Sequence, residues 1–173
     1  MIKLQRILKL RTALTQAMAP PAKQEEQKNK QVVRQFFEAA DRQDIEGMGQ
    51  LVSSTNYFFH FPGIPPMDWN THKQFFTAFT SSFPDLRHEI VDLVAEGDKV
   101  AVRFNVTGTH KGELQGIPPT GKKVSFGAMD FITLMDSKIT EDWLSVDMMG
   151  LMQQIGAIPA DAHASTSSST TRS

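Results

Sequence analysis

The apolar residues of this chain change their spacing at Phe83-Pro84-Asp85. Before that point they recur at helical intervals. Val32, Val33, Phe36, Phe37 and Ala40 fall on one helical face, and Phe75, Phe76 and Phe79 on another. After it the interval is two: Val100, Val102, Phe104 and Val106 alternate with Ala101, Arg103, Asn105 and Thr107. A period of two is that of a strand with one covered face. Helices first and a run of antiparallel strands afterwards is an α+β plan. A curved sheet with about three helices across its concave face encloses a cone-shaped pocket, a natural site for a small molecule.

The individual elements follow from caps and turns. A helix is expected over Asn29 to Arg42 and a second, capped by Asp44, over a segment holding Met48, Leu51 and Val52. Tyr57 to Phe61 reads as a short strand. A third helix is capped by Asn70 or Thr71 and ends at Phe83. Strands follow at His88–Ala95, around Val100–Val106, at Lys123–Met135 and at Lys138–Asp147, with turns at Glu96-Gly97-Asp98 and Asp136-Ser137. Met148 to Ile155 is a closing helix, with Asp147 as its cap and Gly156 as its stop.

Residues 28–159 form the folded unit in this reading. Residues 1–27 are a basic extension and linker: Ala19-Pro-Pro-Ala22 interrupts a first helix, and Lys23–Lys30 is polar. Within residues 1–24, Lys3, Arg6, Lys9, Arg11 and Lys23 are offset by no acid, and Ile2, Ile7, Leu10 and Leu14 lie near one helical face. Such a segment packs on its own domain or a partner subunit, or residues 1–18 contact a membrane or direct the chain to an organelle. The chain is otherwise expected in the cytoplasm. Residues 160–173, rich in Ser and Thr, are expected to be disordered. A net charge of −1 gives no reason to expect nucleic acid as a partner. The absence of cysteine excludes disulfides and thiolate catalysis.

The loop between the two central strands, Gly108-Thr-His-Lys-Gly-Glu-Leu-Gln-Gly-Ile-Pro-Pro-Thr-Gly-Lys122, is ordered punctuation in physical terms. Its wording resembles that of the SnoaL-like polyketide cyclases, also called ester cyclases, of the nuclear transport factor 2-like superfamily. So do Val32-Val33-Arg34-Gln35-Phe36-Phe37, Phe83-Pro84-Asp85-Leu86, Glu96-Gly97-Asp98, and the end from Asp147 to Pro159. The resemblance implies a cone-shaped fold, a homodimer, a hydrophobic small-molecule substrate, and chemistry that uses no metal and no organic cofactor. In the founding cyclases an aspartate on the last strand moves a proton beside a carbonyl, and a histidine on the preceding strand assists. An ungapped match puts Leu144 at the aspartate's position and Asp130 at the histidine's.

The expected catalytic residues are therefore Asp130, His60 and Asp142. With a three-residue loop at 136–138, Asp130 faces Leu144 and Asp142 lies about 7 Å away along the same face. With a two-residue loop, Asp130 faces Trp143 and Asp142 turns away. Asp130 either carries a proton in the pocket or forms a salt bridge, for instance to Arg103. Asp142 is either the second carboxyl or an exposed strand residue. His60, in Phe58-Phe59-His60-Phe61, is expected to polarise or orient the substrate. Substrate contacts are expected from Phe58, Trp69, Arg103, Ala128, Trp143, Leu144 and Val146, with Trp69 as a lid. His110 is expected to brace its loop, and His72 and His88 to be surface or packing residues.

Motifs for nucleotides, serine hydrolases and helical zinc sites are missing. The leading expectation is acid/base cyclisation or isomerisation of a hydrophobic carbonyl compound. The alternatives are a non-catalytic binding or interaction module of the same fold, and an epoxide-hydrolase-like enzyme using Asp130, Arg103 and Asp142.

Overall fold

A computed structural model describes residues 20–159. The expected helix at Met1–Met18 and the Ser/Thr-rich tail at 160–173 lie outside the described residues. Within them, helix α1 (Pro21–Asp41) and helix α2 (Ile45–Gly49) are followed by strand β1 (Phe58–His60) and helix α3 (Trp69–Ser82). Strands β2 (Arg87–Glu96), β3 (Lys99–Thr109), β4 (Lys123–Met135) and β5 (Lys138–Val146) then lead into helix α4 (Met148–Ile155).

Helix α1 begins eight residues before the expected start, so Lys23–Lys30 is helix and not linker. Pro21 at the first turn gives up only an N–H that has no helical partner there. The Lys, Gln and Glu that follow are good helix formers. The buried face is Val32, Val33, Phe36, Phe37 and Ala40, as the spacing predicts. Asn29, also buried, donates to the carbonyl of Gly97 at 3.1 Å and ties α1 to the β2–β3 turn. At the other end Asp41 accepts from His88, from its backbone N–H at 3.0 Å and its Nδ1 at 2.7 Å. Asp44 caps α2, as expected, by accepting from Gly47. Helix α3 starts earlier than expected, because Asp68, and neither Asn70 nor Thr71, supplies the cap.

The five strands form one sheet in the order β1-β5-β4-β3-β2. Pairing is antiparallel except for β1, which adds to β5 in parallel. Helix α1 lies against β2 and β3, α3 against β1, and α4 against β4. The alternating pattern puts Val100, Val102, Phe104 and Val106 of β3 and Val124, Phe126, Ala128 and Ile132 of β4 into the core. Asp147 caps α4 and Gly156, in the left-handed conformation, ends it.

The β4–β5 hairpin has a register that neither sequence alternative describes. Its turn holds two residues, Asp136 and Ser137, both at positive φ, as a tight hairpin turn requires. Yet Asp130 still faces Leu144. A bulge reconciles the two: Leu134 pairs with Ile139 and Thr133 with Glu141, which leaves Thr140 as an extra residue. Beyond it, Ile132 faces Asp142, so Asp142 stands diagonally from Asp130 on the same face.

The β3–β4 loop is fastened to the end of α3. Lys111 and Gly112 N–H groups donate to the Ser82 carbonyl, and Ser82 Oγ donates to the Glu113 carbonyl. A Cβ at Gly112 would stand 2.3 Å from the Ser81 carbonyl oxygen, so only glycine allows this approach. His110 is buried in the loop, stacked on Phe83 and within 3.1 Å of Thr120 Oγ1.

Candidate active site

Between the helices and the inner face of the sheet lies a cavity of about 320 Å³. Its walls are mostly apolar and rich in phenylalanine, with Phe37, Phe59, Phe76, Phe104 and Phe126 among them, and Glu113, Leu114 and Gln115 of the fastened loop contributing from β3–β4. Asp130, Asp142 and His72 are among the few polar groups that reach it.

Asp130 and Asp142 are 8% and 2% exposed. One carboxylate oxygen of each is enclosed without a hydrogen-bond partner. Burial raises both pKa values. Asp142 is pushed up to about 7, and Asp130 well above the usual carboxylate range by burial and by the charge of Asp142 beside it. Such a pair holds a proton at neutral pH.

His72 projects from α3 with Phe76 and Phe79, one and two turns along the same face. Its ring is stacked on Phe59 at 3.9 Å between centroids, and its Nδ1 is 2.7 Å from the Tyr57 hydroxyl. Burial lowers its pKa to about 3, so the imidazole is neutral. Burial, followed by the nearby charges of Asp142 and Asp130, raises Tyr57, which therefore stays a phenol. The sequence reading places His72 at the surface or in packing, and the structure places it in the cavity wall. Its position four and seven residues before Phe76 and Phe79 is the signal that it faces inward.

The structure brings together Asp130, Asp142, Ala128, Leu144 and Val146 at the cavity wall. It removes the others. In β1, Phe59 points inward, so period two turns Phe58 and His60 to the outer face. Trp143, between Asp142 and Leu144, is likewise outside and 51% exposed. His60 stacks on it at 3.6 Å. Arg103 is exposed on the outer face, donating through Nε to Asp92 at 2.8 Å. It neither pairs with Asp130 nor completes an Asp130, Arg103 and Asp142 set, which removes the basis for the epoxide-hydrolase reading. Trp69 is no lid. It lies in the first turn of α3, edge-on to Tyr57 and His72. His88 forms part of the wall while paired with Asp41.

Among the described residues no three His, Asp or Glu side chains are placed to hold a metal ion, and no helix is long and apolar enough to cross a membrane.

The curved, unclosed five-stranded sheet, with helices across the face that carries the cavity, defines a nuclear transport factor 2-like cone. The family model of the SnoaL-like polyketide cyclases matches residues 30–155, and the chain belongs to that family. Among solved structures it is similar to AclR, a candidate hydroxylase from Streptomyces galilaeus. The two are 27% identical over 78% of this chain and 85% of AclR, with a TM-score of 0.71. A candidate polyketide cyclase from Bacillus cereus ATCC 10987 is 34% identical over 73% of this chain and 79% of its own, with a TM-score of 0.62. IdmH, a candidate polyketide cyclase from Streptomyces antibioticus, is 26% identical over 74% and 98%, with a TM-score of 0.68. No curated protein matches the sequence significantly.

Proposed function

We propose that this chain is an enzyme that cyclises or isomerises a hydrophobic carbonyl compound by acid/base chemistry in the cavity. The observation that carries the reading is the pair of buried carboxyl groups, Asp130 and Asp142, each with an oxygen that no group among the described residues satisfies. A purely binding cavity gains nothing from such a pair, since an unpaired buried carboxylate opposes folding. Neither group is locked in an ion pair among the described residues. That favours the enzyme over a non-catalytic module of the same fold.

We assign the base to Asp142, the carboxyl on the last strand, and the acid to Asp130, which the charge of an ionised Asp142 keeps protonated. The Asp142 carboxylate takes a proton from the carbon beside a carbonyl, and the C–H electron pair becomes an enolate. In a cyclisation the enolate carbon bonds to a second carbonyl of the same molecule, and the alkoxide formed takes the Asp130 proton. In an isomerisation the proton returns to a different atom. Atoms and charge balance within the substrate and the two carboxyls. Asp142 thus supplies a carboxylate on the last strand, two residues from the position where the family resemblance implies one.

The test uses 2-tetralone, an apolar bicyclic ketone with exchangeable protons beside its carbonyl. The chain should accelerate exchange of those protons for deuterium in D2O, read by NMR. Asp142→Asn should lower that rate by about 10²-fold or more, within the range of general acid–base catalysis. Asp130→Asn should lower it less. Unchanged exchange in both variants would sink the assignment.

A further inference from the structure

We propose that His72 is a further catalytic residue, donating a hydrogen bond through Nε2 to the carbonyl oxygen that gains negative charge, and that Tyr57 is the positioning residue that makes Nε2 the donor. The inference rests on the acid/base reading of the cavity and adds the group that receives the charge.

The argument begins with the Tyr57 hydroxyl. Tyr57 is 4% exposed, and among the described residues its hydroxyl has one hydrogen-bond partner, Nδ1 of His72 at 2.7 Å. Two arrangements satisfy that distance. If Nδ1 carried the proton and donated, the phenolic O–H would be buried with nothing to donate to. Leaving such a donor unpaired costs about 1–3 kcal/mol. If the phenol donates to a bare Nδ1, both groups are satisfied. A neutral imidazole then carries its one proton on Nε2.

The ring cannot turn over to exchange the two nitrogens. Phe59 lies on it with an interplanar angle of 1°, Tyr57 lies nearly parallel at 5.8 Å, and the edge of Trp69 closes a third side at 5.8 Å. His72 is part of the cavity wall. Among the described residues its Nε2 has no hydrogen-bond partner, yet it is not among the enclosed unpartnered atoms, which belong to His60, His110, Asp130 and Asp142. An unpartnered nitrogen that is not enclosed, on a ring that lines the cavity, opens into it.

A fixed N–H aimed into a dry cavity stabilises an enolate without reorganising as charge develops. Neutrality matters here. An imidazolium in the same cavity wall as Asp142 would draw the base's charge to itself, whereas a neutral donor leaves the base free.

Two measurements test this. First, 15N NMR of imidazole nitrogens in the labelled protein should show His72 as the Nε2–H tautomer from pH 6 to 8. Second, the carbonyl stretch of bound 13C=O 2-tetralone should fall to lower frequency than in hexane. That shift should persist in the Asp130→Leu/Asp142→Leu double variant, whose leucines cannot donate, and vanish in His72→Phe. Deuterium exchange in His72→Phe should fall about 10²-fold. Tyr57→Phe leaves the imidazole in place and should mix the tautomers and shrink the shift, which decides the matter even if His72→Phe does not fold. An Nδ1–H tautomer, no carbonyl shift in the unaltered chain, or a shift that survives His72→Phe would each overturn the proposal. Exchange that survives the Asp variants refutes the carboxyl pair instead, and leaves the carbonyl shift as a separate result.

Discussion

In the proposed reaction Asp130 and Asp142 take opposite roles because two neighbouring buried carboxyls do not ionise together. Burial acts on both, but Asp130 also faces the charge of Asp142. The first proton therefore leaves Asp142 near pH 7, and the second leaves Asp130 at higher pH. The active form is the singly protonated pair, so the exchange rate of 2-tetralone should follow a bell against pH. Its acid limb should lie near 7, and its alkaline limb should report Asp130. In Asp130→Asn the alkaline limb should disappear while the acid limb remains. A profile that is flat from pH 5 to 9 would refute the pairing. Asp130 with Ala128, and Leu144 with Val146, were legible from their even steps along a strand, but whether Asp142 joined them was left open, because it turned on the hairpin register. His60, Phe58 and Trp143 were misread for the same physical reason in reverse. Aromatic residues marked a pocket wall, but the period of two sends alternate side chains outside, and the phase of a three-residue strand is set by its parallel partner. His72 was legible as well, through its spacing to Phe76 and Phe79, and was missed because a histidine amid polar helix residues resembles surface.

At the scale of elements, the register at the two aspartates depends on how one extra residue is accommodated. Without the bulge at Thr140, the two-residue turn at Asp136-Ser137 would set Asp130 opposite Trp143 and send Asp142 outward. Deleting Thr140 removes the extra residue and leaves Glu141 opposite Thr133 and Leu144 opposite Asp130, so 2-tetralone exchange should survive in a bulge-free hairpin. A deletion variant that keeps the strand content of the parent by circular dichroism but loses exchange would show that the bulge itself, and not the register beyond it, shapes the site. The α+β plan and the strands were legible from periodicity, because alternation survives any register. The bulge was not, since nothing local in Ile139-Thr140-Glu141 separates it from regular strand. The same scale governs the β3–β4 loop, whose place at the cavity depends on contact with α3. Gly112→Ala would push a methyl group against the Ser81 carbonyl, and only backbone movement relieves that contact. Expected is a loss of roughly 1–3 kcal/mol in stability, as for overpacked sites, read from urea unfolding. A variant as stable as the parent would mean that the loop is free to lift.

For the whole molecule, the site sets how stability varies with pH. Asp130 and Asp142 have folded pKa values above those of the unfolded chain. Their contribution is most favourable below the unfolded value of about 3.9 and is lost as pH rises through about 7 and beyond. His72 acts in the other direction. Its folded value is depressed to about 3, so its contribution is present above about 6.5 and is lost as pH falls toward 3. Between pH 4 and 6.5 the two carboxyls outweigh the one imidazole, and above 6.5 only the carboxyls act. Considering these groups, the chain should lose stability from pH 5 to pH 9. For Asp142 alone the upper figure over that range is about 3 kcal/mol, two pH units at about 1.4 kcal/mol for each tenfold change in proton affinity. Water entering the cavity reduces it. Removing the charge should recover that loss. Asp142→Asn should melt several °C above the parent at pH 8.5, with the gain disappearing by pH 4.5, as measured by calorimetry at both values. A variant that melts below the parent at both pH values would mean that Asp142 holds the fold together, and a residue that holds the fold together in its ionised form is not free to act as the base.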